Sequence, residues 1–128
     1  MMKISRSFCT IISCCMFLLC GCNDKKNVSG GLYEHGVIIT NEGNFGSNTG
    51  SVSYYNPSTD SVYNSIFEDA NSKRPLGDVV QSFAVADKKG FIVVNNSHKV
   101  EVVLLDNFQS VGVIAASYPR HFICWLLR

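Results

Sequence analysis

The run Asn41-Glu42-Gly43-Asn44-Phe45-Gly46-Ser47-Asn48-Thr49-Gly50 carries side chains suited to holding a ligand. It is long, rich in glycine and side-chain amides, and contains one aromatic, Phe45. Amides donate and accept hydrogen bonds, and a phenyl ring stacks on a flat partner. A large planar polar molecule is therefore the ligand these residues would suit. A solvated hairpin loop has the same composition. The glycines do not form a phosphate cradle, because Gly43-Asn44-Phe45-Gly46 leads toward a β-rich stretch and no helix N-terminus follows. Glu42 with nearby amides is compatible with calcium, but EF-hand spacing is absent, and no metal site is expected.

The remaining polar side chains are less suggestive of catalysis. His35, His98 and His121 share no metal-ligand spacing, and no serine sits in a nucleophile-elbow pattern. Asp87 and Asp106 fall at expected strand ends, where Asp is a turn former. No acid–base pair stands out, so an enzyme is not expected. Asn95 and Asn96 close a β-rich run and suit strand-ending bonds to the backbone. Arg120 precedes another such run and suits either a ligand or a neighbouring strand's carbonyls. Asn41, Glu42, Asn44, Phe45, Asn96 and Arg120 make up the candidate binding set.

A repeat supplies the elements that must position these residues. Gly36-Val37-Ile38-Ile39-Thr40-Asn41 returns as Gly90-Phe91-Ile92-Val93-Val94-Asn95. Each copy is followed by a polar loop and a second β-rich run, Val52–Asn56 in one and Val100–Asp106 in the other. The separation is roughly 50 residues, a period that signals propeller blades or stacked units. Expected strands are Gly36–Asn41, Ser51–Asn56, Ser61–Phe67, Val79–Ala86, Gly90–Asn95, Val100–Asp106, Ser110–Ala115 and Arg120–Leu126. They are rich in Val, Ile, Tyr and Phe and are punctuated by turn residues such as Asn56-Pro57-Ser58-Thr59-Asp60. A helical turn fits only within Glu68–Asp78, where Arg74-Pro75-Leu76-Gly77 stops anything longer.

The expected fold class is therefore all-β, with antiparallel blades of a propeller. Val80–Ala86 is the inner strand of one blade, and Gly90–Asn95, Val100–Asp106 and Ser110–Ala115 follow outward. The preceding blade has its second, third and fourth strands but no inner one. Antiparallel order places Asn41–Gly50, Glu68–Gly77, Asn95–Lys99 and Ala116–Arg120 on one rim. Phe67, Phe83, Phe91, Val93, Val102 and Leu104 are expected in the core, along with one of Tyr54 and Tyr55 but not both. About two blades are present, where rings hold roughly four to eight. Either this is part of a larger propeller, or it is a small β-domain that closes a ring by oligomerising.

The N-terminus reads as an export signal. Lys3 and Arg6 precede an uncharged run from Phe8 to Gly21, too short to span a bilayer comfortably as a helix. Leu18-Leu19-Cys20-Gly21-Cys22 resembles the lipobox of bacterial lipoproteins, in which the thiol corresponding to Cys22 is acylated. Residues 1–21 are then the signal, 22–32 a polar tether, and 33–128 the partial propeller. Of six cysteines, only Cys124 lies beyond this region, so no disulfide framework is available. The chain is nearly neutral, with a formal net charge of +1. That excludes a basic nucleic-acid surface and leaves acyl chains as the membrane anchor.

Val93-Val94-Asn95-Asn96-Ser97, Val100-Glu101-Val102-Val103 and Tyr118-Pro119-Arg120 resemble the YVTN-type repeat of YncE-like seven-bladed propellers. Thr40–Gly46, Gly50–Tyr55 and Arg74-Pro75-Leu76-Gly77-Asp78 are similar to the opening of surface lipoproteins of gut Bacteroidetes with that fold. Some members bind vitamin B12 and related corrinoids and pass them to a TonB-dependent transporter. The resemblance implies an outer-membrane, surface-exposed binding lipoprotein that needs no cofactor, with a corrinoid as ligand and the transporter as partner. It covers Cys22 to about Phe122 but only the first third of such a protein, and Cys124–Arg128 departs from it. A truncated, inactive propeller and a propeller enzyme are the competing readings. The inner strand Val80–Ala86 carries no His, Asp or Glu for the latter.

Overall fold

The computed structural model describes residues 30–123. The expected signal, Cys22, most of the tether and positions 124–128 lie outside the described residues. Seven strands form two antiparallel sheets: β1 (Val37–Asn41), β2 (Ser51–Asn56) and β3 (Ser61–Tyr63), then β4 (Val80–Ala86), β5 (Lys89–Val94), β6 (Lys99–Leu104) and β7 (Ser110–Ala115). One short helix, α1 (Ile66–Ala70), lies in the link between them. The described residues are nearly all β in class, and the two sheets are consistent with consecutive propeller blades.

The sheets pack through one face each. Val52 and Tyr54 come from the first sheet, and Val80, Ile92, Val94 and Val103 from the second. Ile66, Phe67 and Leu76 enter from the link and Phe108 from the turn after β6. Strand alternation sorts these side chains: Phe83 pairs with Ile92 and Gly90 with Val103, all facing the first sheet. Phe91 and Val93 point to the far face.

The glycine that opens each repeat copy has a physical reason. A Cβ at Gly36 would lie 2.4 Å from the Tyr54 ring, and one at Gly90 would lie 2.5 Å from the Phe83 ring. Each glycine admits an aromatic ring against the backbone at the start of its strand, a close approach that any side chain would block.

Several expectations need correction. The strand expected over Ser61–Phe67 stops at Tyr63, because Ser65 adopts a left-handed backbone at φ 54° and the chain turns into α1. The helix thus begins before the expected Glu68–Asp78 window. Arg120 to Ile123 forms no strand; Phe122 instead stacks on Phe91, with ring centroids 4.3 Å apart. Phe67, Val93 and Val102 are buried as expected, but Phe83, Phe91 and Leu104 are only half-buried. Tyr54 is buried, while Tyr55 reaches outward to donate a hydrogen bond to Asp60.

A carboxylate sits within the interface between the sheets. Glu101, directly across from Ile92, has no solvent exposure. Arg74, from the link, donates to its two oxygens from Nη2 at 2.7 Å and Nη1 at 3.4 Å. Lys99 donates from Nζ at 2.8 Å, and the Ser110 hydroxyl donates as well. Burial pushes the Glu101 pKa up more than any other single influence. The hydrogen bonds from Arg74, Lys99 and Ser110, with the Lys99 charge, together outweigh it and hold the carboxyl below its ordinary value.

A lowered folded-state pKa means that Glu101 stabilises the fold fully above the unfolded-state value and loses that contribution as pH falls through the folded one. Urea unfolding should therefore give stability that declines below about pH 4, with a flatter acid limb in Glu101→Gln. Glu101→Ala, which strands Lys99 and Arg74, should cost about 3 kcal/mol at neutral pH.

Candidate functional site

The expected rim exists. Antiparallel strands bring the β1–β2 loop, the link into β4, the β5–β6 turn and the segment after β7 to one end of the sheets. Main-chain bonds join them: Gly50 donates to Gly77 at 3.1 Å, Val80 to Glu42 at 3.3 Å, Asn95 to Val79 at 2.8 Å, and Ala116 to His98 at 3.0 Å. Asn95 also donates from Nδ2 to the Pro119 carbonyl at 2.9 Å. His98 is exposed and packs its ring edge-on against Tyr118.

Asp78 lies at the centre of this rim. It is buried, and its Oδ2 accepts from the Gly46 main chain and from Asn96 Nδ2, both at 2.6 Å. Its own N–H donates to Ser97 Oγ at 2.8 Å. One carboxylate therefore ties the β1–β2 loop to the β5–β6 turn. The second oxygen, Oδ1, is buried with no partner among the described residues. Val79, the next residue, has φ 59°. A β-branched residue rarely adopts this conformation, and the Asn95 and Asn96 main-chain bonds on either side hold it there.

The candidate residues take different positions on this frame. Asn41 is half-buried, and its Nδ2 is committed to Ser51 Oγ and Ser53 Oγ at 3.2 and 2.9 Å. Glu42 has an exposed side chain. The Asn44 side chain is exposed, while its N–H donates to Thr49 Oγ1. Phe45 is 79% exposed, one residue before the pinned Gly46. Asn96 is half-buried against Asp78, and Arg120 is exposed while its carbonyl accepts from Ser82 Oγ at 3.0 Å. The structure thus places Glu42, Asn44, Phe45, Asn96 and Arg120 on segments at the rim end of the sheets and commits the Asn41 amide to the β2 serines.

This surface is open rather than enclosed. Among the described residues no three His, Cys, Asp or Glu side chains gather as a metal site. Three cavities open at the other end of the sheets. The largest, about 480 Å³, is lined by Gly30, Gly31, Glu34, Lys88, Leu104 and Asp106. Sequence reasoning missed that end and missed Asp78. The signal was present in Gly77-Asp78-Val79, an acidic residue just before β4, but its loop partner lies 32 residues away.

Residues 35–117 match the family model described as Domain of unknown function (DUF5074), and the chain belongs to that family. No curated protein matches the sequence. No helix among the described residues is long and apolar enough to cross a membrane.

Removing the Asp78 carboxylate should free the β1–β2 loop without dissolving the sheets. Asp78→Ala should lose about 2 kcal/mol of stability. Hydrogen exchange at Gly46 should accelerate far more than exchange within β5 and β6. Equal acceleration at both would show that Asp78 supports the whole fold instead.

Proposed function

We propose that this DUF5074 chain is the N-terminal part of an exported, lipid-anchored propeller of YncE-like kind. Its rim captures a small polar ligand, in the first instance a corrinoid, and passes it to a TonB-dependent transporter in the outer membrane. The role is binding rather than catalysis. Phe45 carries this reading: a large aromatic side chain exposed to water on a loop held by a buried carboxylate. An exposed phenyl ring on a pinned loop is a stacking platform, and fixing the loop beforehand lowers the entropy cost of binding. Asn44, Asn96 and Arg120 supply polar groups around it. The lipobox-like Leu18–Cys22 supports the anchor, and the polar residues after it give the domain reach from the membrane.

A second reading has its own observation. The first sheet has three strands where the second has four, and Val37 and Ile39 of its edge strand are exposed. An apolar edge of this kind supports a unit that needs further blades before the rim is complete. On that reading the 128-residue chain alone binds nothing.

Absorbance titration of the full chain with cobalamin separates the two. Saturable binding, weakened about fivefold by Phe45→Ala as loss of one stacking contact predicts, supports the capture reading. Absent binding together with a cooperative β-sheet signal supports the second. Cys22→Ser should abolish incorporation of labelled palmitate and release the protein from membranes. Retained label would remove the lipoprotein assignment.

A further inference from the structure

The end of the sheets opposite the rim holds a small cavity of about 150 Å³ lined by Leu32, Tyr33, Tyr54, Asn56 and Tyr63. Three of its five lining residues are tyrosines. Tyr33 stands edge-on to Tyr54 at 82°, with centroids 5.0 Å apart, so the two rings meet as a corner. Tyr63 continues the wall, nearly parallel to Tyr54 at 28° and 6.3 Å away. Tyr54 is the fixed floor at 3% exposure, whereas Tyr63 is 51% exposed and opens the cavity to solvent. Among the described residues no Lys, Arg or His lines it.

Each element of this corner is held independently of the rim. Tyr54 is set by its place in β2, opposite Ile38 and Tyr63. Tyr33 is set by main-chain bonds from Leu32 to Asp106 and from Tyr33 to Leu105, at 3.0 and 3.1 Å. It also packs edge-on against the buried Phe108, with centroids 5.1 Å apart. The electrostatics favour a positive guest. Ring faces are electron-rich, and a corner of rings attracts a cation that water solvates weakly. Tyr33 holds its phenol proton more tightly than usual, first because it is desolvated and then because the Asp69 carboxylate is near. Asp69 also pairs with Lys73, but both partners are largely exposed, and such a pair is weak.

We infer that the Tyr33–Tyr54–Tyr63 corner is a binding site for an alkylated ammonium group, separate from the rim. A quaternary ammonium matches it better than a primary one, because its methyl groups fill an apolar wall and need no hydrogen-bond acceptors. A second cleft of about 360 Å³ shares Leu32, Tyr54 and Asn56 with this cavity and adds Gly30, Gly31, His35 and Ser58. It gives room for whatever chain carries the ammonium head.

Titrating the full chain with choline, and in parallel with its neutral isostere 3,3-dimethyl-1-butanol, tests the site through tyrosine ring resonances. Choline should produce saturable shifts at Tyr33, Tyr54 and Tyr63 and should lower the Tyr33 pKa. The isostere should bind about tenfold more weakly, the scale of one desolvated cation–π contact. Tyr63→Phe should keep choline binding, and Tyr63→Leu should weaken it about tenfold; Tyr63 is exposed enough for both variants to fold. Glycerophosphocholine binding more tightly than choline would place the carrier chain in the adjoining cleft, and equal binding would assign the free head group alone. Equal affinity for the isostere, an unchanged Tyr63→Leu, or no saturable shift would overturn the proposal.

Discussion

A carboxylate removed from water must be paired, and the pairing of Glu101 organises this protein. Its partners come from three places in the chain: Arg74 from the link between the sheets, Lys99 from its own strand, and Ser110 from the next. Satisfying the carboxylate therefore fixes the link against the second sheet. Arg74 reinforces this by lying over the Phe67 ring, 4.8 Å from its centroid. Asn71 adds a parallel brace, donating to the carbonyls of Phe67 and Phe108 and accepting from the Ser110 N–H. Because Phe67 and Phe108 are both wholly buried, these polar contacts also set the core. An apolar isostere at position 101 could fill the space, but it would not specify which segment crosses the interface.

The same link separates two chemically different ends. Toward the rim it delivers Asp78, which gathers main-chain and amide donors and leaves polar side chains and Phe45 outward. The opposite end is bounded by the chain's first described residues and the β2–β3 turn, and its smallest cavity is walled by tyrosines. A molecule approaching the rim meets hydrogen-bonding groups on an open surface; one approaching the other end meets ring faces in a confined corner. Both ends stand on the same two sheets, so neither requires the other to be occupied.

The strands were legible because they repeat. Glycine at 36 and 90, followed by β-branched residues and a polar loop, announced two related sheets, and a ring lying over each glycine explains the repeat. Antiparallel order then made the rim legible without any side-chain detail. The link and turns were harder to read. Phe108 has φ 61° in a short turn and still fills the core. Leu76 does so from within a Pro- and Gly-containing segment that reads as exposed loop. Period-two alternation puts Glu101 on the side opposite Val100 and Val102, but nothing local says that this side is buried. Asp78 is similar: its burial depends on a donor at Gly46, which becomes its neighbour only after both sheets have formed.

Strand order within the sheets has a kinetic consequence. Among the described residues every strand pairs only with a neighbour in sequence, β1-β2-β3 and then β4-β5-β6-β7. Each sheet is a meander whose connections are local in sequence, the longest being Glu42–Gly50 between β1 and β2, and the entropy cost of closure grows only slowly with loop length. During synthesis the first meander can form as soon as it emerges. Its inner face, carrying Val52 and Tyr54, then has no cover until β4 to β6 follow. The slow event is the docking of one meander on the other, and it brings Arg74 to Glu101 across 27 residues of chain. Until that step the two meanders keep their apolar sides open, the stage at which a folding helper would have most to hold.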